Sequence, residues 1–309
     1  MTEPCAGDRR LPAGGLDGVV LLDKPAGLSS NRALQRVKRL FGAQKAGHTG
    51  SLDPLATGLL PICLGQATRF SGYLLDAAKG YRVVARLGAR TSTGDAEGEI
   101  VETCEWQQLE REGLLAVLEE FRGRIEQVPP MYSALKQGGE RLYRKARRGE
   151  EVERPPRAIE IHELTVTQWA PPDFSLEVRC SKGTYIRTLV EDVARRAGSC
   201  AHVTALRRFA AGPFGEAGMR SLEALEGLAE EGRLADAVLP CDTALAVLPA
   251  VALGPEDAAR IRQGQPVAVC GGGEPGLVRL YGGEDFLGVG TRGADGRLVA
   301  KRLMATGAA

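Results

Sequence analysis

Apolar positions along the chain fall into short runs and helical stripes, punctuated by glycine and proline. Gly18-Val19-Val20-Leu21-Leu22-Asp23 reads as a short buried strand, ended by Lys24-Pro25-Ala26-Gly27. Ser29 and Ser30 are good N-caps for a helix with Ala33/Leu34, Val37 and Leu40/Phe41 on its apolar face. Residues 47–58 are irregular, broken by Gly47, Gly50, Pro54 and Gly58; the pattern then predicts a strand over 59–64 and a helix over 66–76. A strand follows over 81–87, and Leu109, Leu114/Leu115 and Leu118 give helical periodicity to 107–121. Residues 129–156, with Gly138-Gly139, Gly149 and Pro155-Pro156 among many charges, read as a long excursion outside the core. Strands over 159–167 and 174–180 lead into Ser181-Lys182-Gly183-Thr184, where Thr184 is placed to cap a helix over 185–197.

A break near Leu248-Pro249 opens a last module. It holds a helix starting at Pro255 and short strands over 276–281, 286–291 and 297–303, which suggests a small barrel. In the first part strands and helices interleave without strict alternation, so the pattern predicts α+β with a mixed sheet. Residues 1–17, rich in glycine, proline and charge, read as a loose tail.

The 309 residues suit two domains, or one large and one small. With 43% hydrophobic and 26% charged residues the chain has the composition of a folded protein. No run of about 18 apolar residues occurs, and the start lacks the features of a secretory signal, so a cytoplasmic protein is expected. The seven cysteines are widely scattered and form no C-x-x-C, and there are three histidines. Free thiols, with neither a structural zinc site nor a disulfide framework, are the expectation.

The formal net charge of +1 hides local asymmetry. Arg32, Arg36, Lys38, Arg39 and Lys45 form one acid-free basic stretch, and residues 141–157 carry seven basic residues against three acidic ones. Such patches fit a polyanion gripped in places. Gly288-Val289-Gly290-Thr291-Arg292-Gly293 matches a dinucleotide-binding pattern, but the following Ala294-Asp295-Gly296 turns into another strand where a helix is required. It reads as a hairpin connection.

The sharpest stretch is Gly47-His48-Thr49-Gly50-Ser51-Leu52-Asp53-Pro54-Leu55-Ala56-Thr57-Gly58, polar groups in a glycine-punctuated loop. Alone, Asp53-Pro54 is an ordinary turn starter. Together with Lys24-Pro25-Ala26-Gly27, Tyr81-Arg82-Val83, Pro130-Met131-Tyr132-Ser133-Ala134-Leu135-Lys136, Ser181-Lys182-Gly183-Thr184-Tyr185-Ile186-Arg187 and His202-Val203-Thr204-Ala205-Leu206-Arg207-Arg208, the run closely resembles the bacterial tRNA pseudouridine-55 synthases. The resemblance extends over about 18–303.

It implies a mixed, largely antiparallel central sheet with flanking helices over 18–247, and a small β-barrel-like RNA-binding domain over 248–309. It further implies isomerisation of a uridine in the tRNA T-loop: the bond from uracil N1 to ribose C1′ breaks, the base turns, and C5 takes its place. That chemistry exchanges no electrons and loses no group, so no cofactor and no metal is expected. Asp53 matches the family's catalytic carboxylate, which acts at the sugar–base junction. Arg187 matches its partner, with a fork suited to a bidentate grip. Tyr81 and Tyr185 match two active-site tyrosines, Leu206 an apolar wall of the base pocket, and Lys24 a supporting residue. His48 matches a wedge that fills the space of the flipped nucleotides. The excursion over about 130–157 matches a thumb-like flap, with Arg144, Lys145, Arg147 and Arg148 expected on phosphates. The implied partner is the tRNA T-arm; neither a membrane nor an obligate protein partner is expected. A non-catalytic tRNA-folding chaperone, or a synthase for another RNA, is the competing expectation.

Overall fold

The computed structural model describes residues 16–268 and 273–305. The tail expected over 1–17 lies outside the described residues except at Leu16, which packs on the main core, and Asp17, whose Oδ1 accepts from the Gln66 amide at 2.7 Å. In chain order the first half holds β1 (Gly18–Lys24), α1 (Ser30–Leu40), β2 (Ala46–His48), β3 (Thr57–Leu64), α2 (Ser71–Asp76), β4 (Lys79–Leu87), β5 (Ala89–Thr91), β6 (Ile100–Thr103), α3 (Arg111–Glu120) and β7 (Gly123–Gln127). Next come β8 (Lys136–Gln137), β9 (Glu140–Arg141), α4 (Leu142–Arg147), β10 (Arg157–Ala170), β11 (Asp173–Cys180), α5 (Ile186–Arg196), β12 (Ala201–Ala211) and α6 (Leu222–Glu230). The last module holds β13 (Ala250–Leu253), α7 (Pro255–Arg262), β14 (Val267–Ala268), β15 (Gly276–Gly282), β16 (Asp285–Arg292) and β17 (Arg297–Leu303).

The main sheet runs β1-β3-β12-β4-β11-β10-β7, with β2 also on β3. Every pairing is antiparallel except that of β12 with β3, which is parallel through Arg207↔Thr57 and Arg208↔Gly58. This is the mixed, largely antiparallel α+β arrangement the sequence implied. The apolar runs at β1 and β3 have a plain cause, since both strands are covered on two sides. Val20, Leu22, Leu60, Ile62 and Leu64 enter a core closed by α1, α3, α5 and α6, whereas Val19, Leu21, Leu59 and Cys63 enter a second core with Phe70, Leu74 and Val289. That second core joins the last module to the main body, with Phe70 and Phe286 ring centroids 5.3 Å apart. The last module is an open five-stranded sheet, β13-β15-β16-β17-β14, a half-barrel with two free edges. The glycine-rich run at 288–293 lies on β16 and turns into β17, as a hairpin connection should.

Several local expectations need correction. Thr184 does not cap α5; its hydroxyl donates to Ser181 O, and the Tyr185 amide is met instead by Gln127 Oε1 at 2.8 Å. Ser29 caps α1 through the Arg32 amide, but the neighbouring Ser30 is turned into the fold. The helix expected over 66–76 breaks at Phe70 into a 3-10 turn and α2, and that expected over 107–121 starts only at Arg111. The excursion over 129–156 contains the β8–β9 hairpin and α4, anchored by a buried Leu142. Cys104 and Cys200 form a disulfide, contrary to the free-thiol expectation. Their sequence separation of 96 concealed it; Gly88 brings them together by donating to Cys200 O and accepting from the Cys104 amide. Cys63, Cys180 and Cys241 are buried free thiols, and Cys5 and Cys270 lie outside the described residues.

Gly58 sits at the parallel junction with φ +97°, and a Cβ there would come within 2.3 Å of Arg208 O. Both the backbone angle and the space demand glycine. Gly58→Ala should lower stability by about 2 kcal/mol or more, read as a lower midpoint in thermal or urea unfolding. An unchanged midpoint would show that the junction can open without cost.

Candidate active site

The loop between β2 and β3 delivers Asp53 to a cavity of about 420 Å3. Ser30 fixes its approach, because one hydroxyl both accepts from the Leu52 amide at 2.7 Å and donates to Leu52 O at 2.9 Å. On the far side of Asp53 the fully buried Lys24 ammonium donates to Pro54 O at 3.3 Å, and also to Leu28 O and Pro25 O. Gly27 N adds a bond to Pro54 O. The carboxylate is thus clamped from both sides through its backbone neighbours.

Arg187, in the first turn of α5, is 5% exposed and uses every nitrogen. Its Nε meets Asp53 Oδ2 at 2.9 Å and lies 3.7 Å from Asp95 Oδ2. Nη1 donates to Thr93 O and Nη2 to Tyr132 O. The bidentate grip expected of Arg187 is therefore absent: only Nε reaches Asp53, because backbone carbonyls occupy both terminal nitrogens. Burial pushes the Asp53 carboxyl above the ordinary carboxylate value; Arg187 opposes this, Asp95 adds to it, and Lys24 opposes it more weakly.

Tyr81 lies on β4 in phase with Val83, Ala85 and Leu87, so it points to the helix-covered side of the sheet and into the cavity. Burial raises its pKa. Tyr185, at the N-cap of α5, is pinned by a reciprocal pair with Gln127, whose Nε2 returns a bond to Tyr185 O at 3.1 Å. Leu206 on β12, 8% exposed, completes an apolar wall. The structure therefore brings Asp53, Tyr81, Tyr185, Arg187 and Leu206 to one cavity.

Other expected residues lie elsewhere. Lys24 sits behind the loop rather than in the cavity, and burial lowers its pKa to about 8 against the pull of Asp53. His48 ends β2 beside the cavity; its Nδ1 has no hydrogen-bond partner among the described residues, and burial followed by Arg208 and Arg141 lowers its pKa. Arg144, Lys145, Arg147 and Arg148 lie on or just after α4, away from Asp53. Arg148 is held bidentately by Glu140 and also by Glu150, whereas the other three have no carboxylate within 4.0 Å among the described residues.

Sequence reasoning missed Asp95, Gln127 and Arg208. Arg208 is fully buried without a carboxylate partner among the described residues, and donates to Leu59 O at 2.7 Å and Gly50 O at 3.1 Å. Its place in the quoted run around Leu206 was a signal; Asp95 in a Thr-Gly-Asp turn offered none. Among the described residues no cluster of three or more His, Cys, Asp or Glu side chains could hold a metal. A larger hollow of about 750 Å3 lies across Leu206, but its Arg82 and Arg207 are already paired with Glu177, Glu216 and Asp23.

Comparison with known proteins bears on the same residues. Residues 38–186 match the model for the TruB family pseudouridylate synthase N-terminal domain. Residues 187–246 match that for the tRNA pseudouridylate synthase B C-terminal domain, and 249–304 that for the pseudouridine synthase II TruB C-terminal region. The tRNA pseudouridine synthase B of Nitrosococcus oceani is 52% identical over 299 residues, 96% of this chain and 97% of the relative. That of Yersinia pestis strain Pestoides F is 50% identical over 300 residues, 94% and 92% of the two chains. In fold, a chain of an H/ACA ribonucleoprotein bound to a substrate RNA containing 2′-deoxyuridine superimposes with a TM-score of 0.72 at 23% identity, covering 96% of this chain and 92% of that one. The family models cover the sheet from β2 onward, the Asp53 loop, α5 and the half-barrel, and the chain belongs to the TruB family of pseudouridylate synthases.

Proposed function

We propose that the chain isomerises the T-loop uridine of tRNA, uridine-55, to pseudouridine, with Asp53 as the catalytic carboxylate. The observation that supports this best is an aspartate held at 2.9 Å by a buried arginine in a cavity walled by two tyrosines and a leucine. Asp53 meets the sugar–base junction of a uridine that has been turned out of the T-loop, as chemistry at a stacked nucleotide requires. There it attacks C1′ or takes a proton from the ribose; either role needs the ionised form. Arg187 and Lys24 favour that form against burial. Tyr81 and Tyr185 stack against the freed uracil while it turns, and Leu206 keeps water from its face. C5 then bonds to C1′, the C5 proton leaves and N1 gains one, so atoms balance with no outside reagent.

In this reading residues 18–247 carry the chemistry, and 248–309 add RNA contacts. His48 fills the space left by the extracted nucleotide. A cytoplasmic site of action follows from the tRNA substrate. A folding chaperone would use the same RNA surface, but it has no use for a carboxylate held this way.

Asp53→Asn keeps shape and removes charge. It should abolish pseudouridine formation in a T-arm stem-loop while leaving RNA affinity within about tenfold. Because the folded pKa of Asp53 is raised, the ionised fraction falls as pH drops through a value above the ordinary 3.8. The single-turnover rate should show an acid limb at that higher pH; turnover by the asparagine variant would rule the assignment out.

The flap cations give a separate test. Replacing Arg144, Lys145, Arg147 and Arg148 by alanine should weaken RNA binding. If all four meet phosphate, it should also reduce the slope of log Kd against log salt by about 3–4 units. An unchanged slope would remove the flap from the RNA interface.

A further inference from the structure

Ser133 is the one residue of the cavity wall whose polar side-chain atom is buried and unused among the described residues. It is 4% exposed, and its Oγ has no hydrogen-bond partner there. Buried hydroxyls are almost always paired, so an orphan on the wall of a ligand cavity marks a place where a ligand completes the bonding. The main chain of Ser133 is held in place. Its amide donates to Met131 O at 2.9 Å, and its carbonyl accepts from the Tyr143 amide of α4 at 3.1 Å. One residue earlier, Tyr132 O receives Arg187 Nη2, so the same short segment touches the guanidinium that holds Asp53. The Ser133 hydroxyl lies beside that of Tyr185 and opposes the burial that raises the Tyr185 pKa, but the pair falls short of hydrogen-bond geometry.

We infer that the Ser133 hydroxyl recognises the polar edge of the extracted uracil, its imide N–H or a flanking carbonyl, and links the base pocket to the flap. This rests on the proposed reaction and adds a substrate contact to it. A hydroxyl both donates and accepts, so it can hold one partner before the base turns and another afterwards. The carbonyl bond to Tyr143 couples the contact to α4: a flap seated on RNA holds Ser133 against the base.

The test separates a recognition role from a structural one. Total RNA affinity comes mainly from backbone contacts, whereas seating of one base is a later, internal equilibrium. With a T-arm stem-loop containing a single target uridine, Ser133→Ala should lower the single-turnover rate at saturating enzyme about five- to tenfold, the worth of one neutral hydrogen bond. RNA Kd should stay within about twofold, and the melting temperature should stay level or rise, since an unsatisfied buried group is removed. Ser133→Cys, close in shape but a weaker hydrogen-bonding group, should give a rate between the two. A rate equal to the parent's, or a melting temperature that falls in step with the rate, would overturn the inference. A parent protein that forms no pseudouridine in the same RNA would instead defeat the proposed function.

Discussion

The guanidinium of Arg187 is where the distant parts of the chain are reconciled. A cation this deeply buried is tolerated only if its donors are met, and here they are met by three separate segments: Asp53 from the β2–β3 loop, Thr93 and Asp95 from the β5–β6 hairpin, and Tyr132 from the root of the flap, all around the first turn of α5. None of these segments has regular structure at the contact. The charge therefore does for the loops what hydrogen-bond ladders do for the strands. It also sets the chemistry, because the group that organises the loops is the one that opposes protonation of Asp53.

Around that pair the balance tilts to positive. Lys24, Lys79 and Arg208 are all buried, and each satisfies its donors with backbone carbonyls rather than with carboxylates. Carbonyl oxygens meet the hydrogen-bonding need and leave the charge uncancelled. Burial accordingly lowers the Lys24 and Lys79 pKa values to about 8 each, with Arg208 adding to the effect. A cavity lined by Lys79 and Arg208, with Lys24 behind the Asp53 loop, is preset for an anionic polymer, although the whole chain carries a formal net charge of only +1.

The α+β class, the strands at β1, β3, β4, β10 and β11 and the helices α1 and α5 were legible in the sequence because each carries an apolar run, alternation or stripe; β12, read only as part of a motif, was not. Short elements such as β2, β5 and β6 were not, since three or four residues leave no period to read. In the site, the residues carried by dense motifs were legible as a group; their mutual geometry was not. That Thr93 and Tyr132 carbonyls take the ends of the Arg187 fork depends on backbone positions far apart in sequence, and no residue type announces a carbonyl. Asp95 and Gln127 were invisible for a related reason, as each is an ordinary polar residue until β7 and the β5–β6 hairpin bring it beside α5.

The double burial of β1 and β3 bears on how the molecule comes apart. Each strand is a shared wall, with one row of side chains in the core above the site and the other row in the core that receives Val289 from the half-barrel. Neither core can be completed while its side of the wall is bare, and neither can be emptied without stripping the other of its support. Loss of the half-barrel would thus be felt on both sides of these strands, in the same β3 whose first residues pair with β12 beside Leu206. The precision of the Asp53 loop is underwritten in part by packing on the opposite side of the wall from it.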